Sequence, residues 1–176
     1  MFLTLLTNVC QQLNHLGLPY MLTGSAALEF HTVGRSTRDL DVVIELDETR
    51  VESFLAAFTN HYYHQPSVLE EIRRGGMFNL IDFETGFKID FILRKNSDYG
   101  RAAFSRRIYH ADTLAIPVWV ISLEDLILAK LIWIQDMYSD RQAADIQQLT
   151  RNPATDYIYI RQWISALRLN TFALPL

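Results

Sequence analysis

The sequence predicts an α+β fold with a mixed sheet of about five strands, helices packed on one face, and a helical C-terminal part. Short apolar segments alternate with segments of helical periodicity over residues 1–121, whereas residues 122–176 show helical periodicity alone. Hydrophobic residues make up 49% of the 176 residues, which is enough for a core and argues against disorder. No Pro/Gly/Ser-rich linker divides the parts, so we expect them to pack together.

The elements of the first part follow from apolar spacing and from turn residues. Apolar residues at helical spacing predict an opening helix that ends at Gly17, and the alternating segments around Thr85-Gly86 predict a hairpin. Pro117 places the last strand at a sheet edge. In chain order the predicted elements are a helix to 16, a strand at 18–24, a helix at 25–32, a strand at 40–46, a helix at 47–61, a short strand at 62–65, a helix at 67–76, hairpin strands at 77–84 and 87–94, a short helix and strand within 94–110, and a strand at 114–121.

Three helices are predicted in the second part. Ser122 is the expected N-cap of the first, and acidic residues follow in its first turn. Ser139 and Gln142 stand in capping-box register at the start of the second helix. The third helix covers the segment 156–169.

Charge and cysteine content exclude several classes of protein. The net charge of −4 argues against broad electrostatic coating of nucleic acid, although a local basic groove remains compatible with it. Cys10 is the single cysteine, so no internal disulfide forms, which fits a reducing cytoplasm. The N-terminal segment lacks a basic region typical of signal peptides, and the apolar window 123–134 is short and carries Lys130. We therefore expect a cytoplasmic protein without a membrane partner.

Acidic residues accompany two predicted strands. Asp39 and Asp41 open the strand at 40–46, and their spacing places both side chains on one face. Asp90 lies inside the later strand, where aspartate is disfavoured. Half-buried carboxylates are costly unless cations neutralise them, and magnesium prefers carboxylate, phosphate and water oxygens. Gly24-Ser25, between a strand and a helix, offers backbone N–H groups to a phosphate. Together these residues predict phosphoryl or nucleotidyl transfer.

Each of these motifs has an ordinary structural explanation when taken alone. About two acidic-x-acidic triplets are expected by chance at this composition, and residues 82–84 form another one. Gly-Ser before a helix is common as a turn and N-cap. The order of the motifs along the chain is therefore more informative than any single motif.

In this order the residues resemble the DNA polymerase β-type nucleotidyltransferase superfamily. The matching positions are Gly24-Ser25, thirteen intervening residues, Asp39-Leu40-Asp41, and the later Asp90. Within the superfamily, "TRDLDVVIEL", "IDFILR" and "SLEDLILAKL…SDRQAADIQQL" resemble small bacterial AbiEii-like proteins related to type IV toxins. The resemblance implies the minimal nucleotidyltransferase fold over residues 1–121.

The resemblance also implies a role for each matching residue. Asp39 and Asp41 would bind two Mg²⁺ ions on a nucleoside triphosphate such as ATP, and Asp90 would share one ion and accept a proton. The backbone of Gly24 and Ser25 would hold the β- and γ-phosphates. Attack on the α-phosphate would release pyrophosphate. The nucleotide-binding set predicted in this way consists of Gly24, Ser25, Arg38 and Lys130.

Several basic residues have two interpretations. Lys130 either covers apolar surface with its stem or contacts a phosphate. Arg35, Arg38 and Arg94 either steer the triphosphate or pair with nearby carboxylates, and pairing is favoured.

The polar residues farther along the chain are assigned to the surface. We expect Asp140 and Asp145 to cap a helix and lie on a solvated face. The basic residues Arg101, Arg106 and Arg107 also favour a solvated face over contact with an RNA backbone.

The sequence leaves the acceptor open. The expected activity is transfer of an NMP from an NTP to RNA, such as the 3′ end of a tRNA, to a protein, or to a small molecule. A toxin role in a toxin–antitoxin system would add an antitoxin or a second subunit as partner. The alternative is a catalytically inactive nucleotide-binding or interaction module of the same fold.

Overall fold

The computed structural model describes residues 1–111 and 116–176. Eight α-helices are present in these ranges: α1 (Phe2–His15), α2 (Gly24–Leu28), α3 (Val51–Ala57), α4 (Gln65–Arg74), α5 (Asp98–Ser105), α6 (Leu123–Asp136), α7 (Asp140–Leu149) and α8 (Tyr157–Leu167). Seven strands are present there: β1 (Tyr20–Leu22), β2 (Asp39–Ile44), β3 (His61–Tyr62), β4 (Met77–Asp82), β5 (Lys88–Leu93), β6 (Ile108–His110) and β7 (Val118–Val120). A 3₁₀ turn, Glu48–Arg50, leads into α3.

The strands form one mixed sheet in the order β3-β4-β5-β2-β1-β7-β6. The β2–β5 and β1–β7 pairs are parallel, and the other neighbours are antiparallel. The α+β prediction with a mixed sheet is confirmed, with seven strands in the described residues rather than about five.

The predicted edge position of the last strand is wrong. β7 pairs with β1 on one side and with β6 on the other. Pro117 does not interrupt this ladder because it precedes the first strand residue, Val118, so its missing N–H falls outside the pairing. Residues 114 and 115 of the predicted strand lie outside the described residues.

The two faces of β2 differ in chemistry. Leu40, Val42 and Ile44 are fully buried. On this face, Phe54 of α3 packs edge-on against Phe91 of β5, with ring centroids 5.0 Å apart. The alternate residues of β2 point to the opposite face and begin with the two aspartates. The apolar face thereby anchors a strand whose other face carries charge.

The C-terminal helices begin at side-chain caps. Ser122 Oγ accepts a hydrogen bond from the Asp125 N–H, and Ser139 Oγ accepts one from the Gln142 N–H, as the sequence predicts. In the described part of the chain, no helix is long and apolar enough to cross a membrane.

Candidate active site

The three sequence-predicted aspartates lie on adjacent parallel strands. Asp41 of β2 and Asp90 of β5 are direct partners in the ladder, and Asp39 is opposite Lys88. Because side chains two residues apart share a face, all four side chains project to the same side of the sheet. Asp90 is only 5% exposed, whereas Asp39 is exposed. The register therefore concentrates negative charge at the centre of the sheet.

A sharp turn brings the backbone after β1 against this cluster. Gly24 has φ of 60°, which favours glycine, and the Thr23 N–H donates to the Asp41 carbonyl oxygen at 3.0 Å. A Cβ atom at Gly24 would collide with the Asp41 carboxylate. Glycine is therefore required here for both reasons, and Ser25 follows it at the start of α2.

The aspartates open into a cleft of about 800 Å³. Ser25 and Lys88 line it from the sheet side, and residues 35–38 form a rim. Opposite them, α6 contributes Lys130 and Trp133. The volume falls within the range of small-molecule and nucleotide sites.

The acidic cluster is strained electrostatically. Burial raises the pKa of Asp41 above its usual value, and the neighbouring Asp90 and Asp39 charges raise it further, while Lys130 and Lys88 act in the opposite direction. The Asp90 Oδ1 atom is buried and has no hydrogen-bond partner within the described residues. A buried carboxylate oxygen without a donor is costly, so this atom marks a place where a cation or donor would stabilise the fold.

Lys88 neutralises the other oxygen of Asp90. Its Nζ lies 2.7 Å from Asp90 Oδ2, and its side chain is 41% exposed. The hydrogen bond to Asp90 is the main cause that raises the pKa of Lys88. Across residues 1–111 and 116–176, no three His, Cys, Asp or Glu side chains are arranged as a metal site. The carboxylate chemistry suits a divalent cation, but the side chains would have to rearrange around it.

A buried ion network supports the helical wall of the cleft. The Arg35 guanidinium donates to both Asp145 oxygens, at 3.1 and 3.0 Å. Lys130 Nζ donates to Asp145 Oδ2 at 2.8 Å and to Gln142 Oε1 at 2.9 Å. Burial alone would raise the pKa of Asp145, but its two cationic partners outweigh burial and hold that pKa below its usual value.

Lys130 lines the cleft but does not extend its head into water, so the first of its two interpretations is wrong, and contact with a phosphate stays a prediction. It is only 4% exposed, so its head does not reach solvent freely. Burial lowers its pKa, and the hydrogen bond from Lys130 to Asp145 opposes that effect. The expected solvated position of Asp145 is wrong, because Asp145 is buried and pairs with both Arg35 and Lys130.

The remaining basic candidates separate into cleft and structural residues. Arg38 is exposed at the cleft rim. Arg94 pairs with Glu45 and does not line the cleft. Arg106 pairs with Glu124 and Asp125 and is nevertheless exposed, as the expected solvated face requires. These intramolecular partners, together with stacking of Arg107 between aromatic rings, account for most of the predicted basic run.

Lys88 and Trp133 are among the cleft residues that were missed from the sequence. Lys88 precedes Asp90 by two positions in a strand, and this spacing places both side chains on one face. The ion pair between them could therefore have been predicted from the sequence. Trp133 is 64% exposed and follows Lys130 by three positions on α6. The sequence shows a tryptophan three positions after a lysine in a predicted helix, a spacing that places both on one face, whereas the exposure of the tryptophan is known only from the structure.

A family model described as "Nucleotidyltransferase of unknown function (DUF6036)" matches residues 3–164. The chain belongs to this nucleotidyltransferase family. The match includes every predicted site residue and extends from the second residue of α1 into α8. No curated protein is a significant sequence match. The AbiEii-like subtype remains a prediction from the sequence.

Solved structures of nucleotidyltransferases share this family member's fold. The solution structure of the antibiotic-resistance factor ANT(2″)-Ia aligns with a TM-score of 0.60 at 13% identity, covering 94% of this chain and 90% of that one. Its crystal structure in complex with adenylyl-2″-tobramycin gives 0.56 at 13% identity over 94% and 96%. The lincosamide antibiotic adenylyltransferase LnuA, lincomycin-bound, gives 0.51 at 15% identity over 82% and 94%. At these identities the similarity establishes the fold alone.

Proposed function

We propose that the protein transfers an NMP from an NTP to a hydroxyl group of a small-molecule acceptor and releases pyrophosphate. Family membership supports nucleotidyl transfer. The structural neighbours named for lincomycin and for adenylyl-2″-tobramycin favour a small acceptor over RNA or protein. An AbiEii-like toxin role remains a prediction from sequence resemblance.

The observation that carries the proposal is the pairing of Asp41 with Asp90. Two acidic residues in register on neighbouring parallel strands are unfavourable for folding by themselves. Their arrangement beside a glycine whose replacement would be strained and would press against the Asp41 carboxylate supports a site for a polyphosphate and its cation.

Each wall of the cleft would contribute differently to binding. The turn at Gly24-Ser25 would hold terminal phosphates through backbone N–H groups and the Ser25 hydroxyl. Lys130, fixed by Asp145 and Gln142, would attract the triphosphate from the helical side. Trp133 would offer its exposed ring to the nucleobase. Arg38 would steer the nucleotide from the rim.

A divalent cation would be held by Asp41 and Asp90, with Asp39 beside them. The unpartnered Asp90 Oδ1 and the like charges around Asp41 are the observations that suit such a cation. When bound, magnesium would neutralise phosphate charge and make the α-phosphorus more electrophilic. The acceptor oxygen would attack that phosphorus, and Asp90 would take the hydroxyl proton.

The second candidate function is nucleotide binding without catalysis. The Lys88–Asp90 ion pair favours this second candidate. If the Lys88 ammonium stayed on the Asp90 carboxylate, it would occupy the place of the metal ion that catalysis needs. The two candidates differ in what happens to the α-phosphate. An inactive module would bind NTP without releasing pyrophosphate.

The test is a label-transfer assay with each α-labelled NTP, magnesium and three separate acceptor pools: RNA, protein, and a low-molecular-weight cell extract. We expect labelled product from the small-molecule pool, pyrophosphate release, and loss of both with Asp41→Asn and Asp90→Asn. Label in RNA or protein would assign a different acceptor. NTP binding without transfer to any pool would leave the inactive module as the function.

A further inference from the structure

A second cavity, of about 490 Å³, lies on the same face of the sheet as the aspartates. Its floor is formed by Met21, Val43 and Ile92, which are neighbours across β1, β2 and β5. Val43 follows Asp41 by two residues, and Ile92 follows Asp90 by two. The floor therefore starts one step of the ladder beyond the carboxylates, about 7 Å along the strands. We call this cavity the apolar groove.

The apolar groove joins the acidic cleft. Thr23, Ile92 and Ala129 line both cavities, so they meet between the sheet and α6. A molecule in the groove could therefore extend one end to the carboxylate of Asp90 while its body stays on the apolar floor. This is the relation that an acceptor must have to the nucleotide in a transfer reaction.

Most residues that line the groove are apolar, and its charged residues are basic. Helices α5 and α6 and the chain end contribute mainly apolar side chains, among them Tyr99, Ala103, Ile132, Leu167 and Leu169. Arg94 and Lys95 are the charged residues that line the groove, and no acidic residue of the described chain does so. Arg94 pairs with Glu45, and Lys95 Nζ donates to the Gly75 carbonyl oxygen at 2.5 Å.

This lining selects against cationic acceptors. An ammonium group in the groove would lose hydration without gaining a carboxylate partner, and Lys95 would repel it. A neutral apolar body would bury its surface favourably, and an anionic group near Lys95 would gain attraction. The cavity volume suits one drug-sized molecule rather than a polymer strand.

We infer that the acceptor is a small, largely apolar molecule that carries a hydroxyl group and no positive charge, bound in the apolar groove. The inference rests on the proposed function. In the reaction, the acceptor oxygen forms a bond to the α-phosphorus as the bond to the bridging oxygen breaks. Pyrophosphate leaves with that electron pair, and the hydroxyl proton passes to a cleft carboxylate and then to water.

The first test measures binding without catalysis. The probe is 8-anilino-1-naphthalenesulfonate, an apolar anion whose fluorescence rises in apolar sites. We expect one site on the folded protein, displacement by the neutral 2-naphthylethanol, and no displacement by the polyamine tobramycin. Ile132→Glu should weaken probe binding about tenfold or more, because it places an unpaired charge in the groove. Ile132→Leu, the matched control, should bind as the wild type does.

Thermal melting of both variants identifies any loss of fold. If Ile132→Glu unfolds, Leu169→Gln serves as the second variant at the opposite wall. Absence of a probe site, equal binding by the folded Glu or Gln variant, or displacement by tobramycin would overturn the assignment of the groove.

The second test addresses the acceptor class. The low-molecular-weight extract is separated by cation exchange and then by reversed-phase chromatography before the label-transfer assay. We expect labelled product from the fraction that the cation exchanger does not retain and the reversed-phase column does. Product from the cation-exchange fraction alone would overturn the inference and leave the proposed function standing. No product from any fraction would refute the proposed function and the acceptor role, while probe binding would still report a ligand groove.

Discussion

Replacement of Asp41 by asparagine should stabilise the protein while abolishing nucleotidyl transfer. Asp41 is paired with Asp90 across the sheet and shares a face with Asp39. Within residues 1–111 and 116–176, its side chain accepts no hydrogen bond that asparagine would lose, and asparagine has nearly the same shape. The substitution therefore removes repulsion and little else.

The magnitude follows from the spacing of the strands. Neighbouring strands are about 5 Å apart, and two unit charges at that distance in an effective dielectric of about 20 repel by about 3 kcal/mol. Lys88 and Lys130 offset part of this repulsion. We expect a net stabilisation of about 1–2 kcal/mol, which is a rise in Tm of roughly 2–8 °C for a chain of this size.

The pH dependence of stability gives an independent check that Asp41→Asn should stabilise the protein. The pKa of Asp41 is raised in the folded protein, so its ionised form destabilises the fold. The contribution of Asp41 to wild-type stability is fully present below its unfolded pKa, and it is lost as pH rises from that value through the higher folded pKa. The difference in unfolding free energy between Asp41→Asn and wild type should therefore be largest at neutral pH and shrink in acid.

Urea denaturation from acidic to neutral pH, with a chelator present, measures the difference in unfolding free energy between Asp41→Asn and wild type. Asp82→Asn is the matched control, because the buried Asp82 carboxylate accepts hydrogen bonds from the Thr85 N–H and hydroxyl at 2.8 and 2.6 Å. That variant should lose about 1–2 kcal/mol. A loss of stability in Asp41→Asn at neutral pH, or a gain that does not vary with pH, would refute the account of a strained acidic cluster.

Three further predictions concern the cleft. Lys88→Met should tighten Mn²⁺ binding a few-fold, because it frees Asp90 from a partly exposed ion pair. Titration calorimetry measures this affinity, and Lys88→Arg, which keeps the charge, should leave it unchanged. Weaker Mn²⁺ binding in the Met variant would contradict the prediction. Asp145→Asn should lower the free energy of unfolding by about 3–5 kcal/mol, because it leaves the buried Lys130 without its carboxylate partner. Urea denaturation measures this loss, and an unchanged midpoint would contradict a stabilising role for the ion network. Trp133→Phe should abolish the quenching of tryptophan fluorescence by NTP with little loss of NTP affinity. Trp133→Ala should weaken NTP affinity by about tenfold. Fluorescence quenching that persists in the Phe variant would place the nucleobase elsewhere.

Local sequence signals were sufficient for most of the fold. The Ser122 and Ser139 caps depend on a few adjacent residues, so the starts of α6 and α7 were readable. The position of β7 inside the sheet could not be predicted from local signals, because strand order depends on pairing between distant segments. Pro117 reported only on its own missing N–H.

The candidate site was predictable where motif order was informative. Asp39, Asp41 and Asp90 stand in a recognisable sequence order, and their common face follows from strand periodicity. The partners of Asp145 were not predictable, because Arg35 and Lys130 reach it from positions 110 and 15 residues away in the chain. A surface helix and a buried ion network can share the same local pattern of charged residues.

The distribution of charge gives the cleft an orientation. On the sheet side, three aspartates face one lysine, which leaves a net negative charge that attracts a cation. Across the cleft from the aspartates, the rim residue Arg35 and Lys130 of α6 share one carboxylate, Asp145, which leaves a net positive charge that attracts phosphates. In the proposed function, a cation–triphosphate complex would therefore be favoured with its cation toward Asp41 and Asp90 and its phosphates toward α6 and the Gly24 turn. Because the apolar groove joins this cleft at Thr23, Ile92 and Ala129, groove chemistry rather than nucleotide chemistry should decide the acceptor.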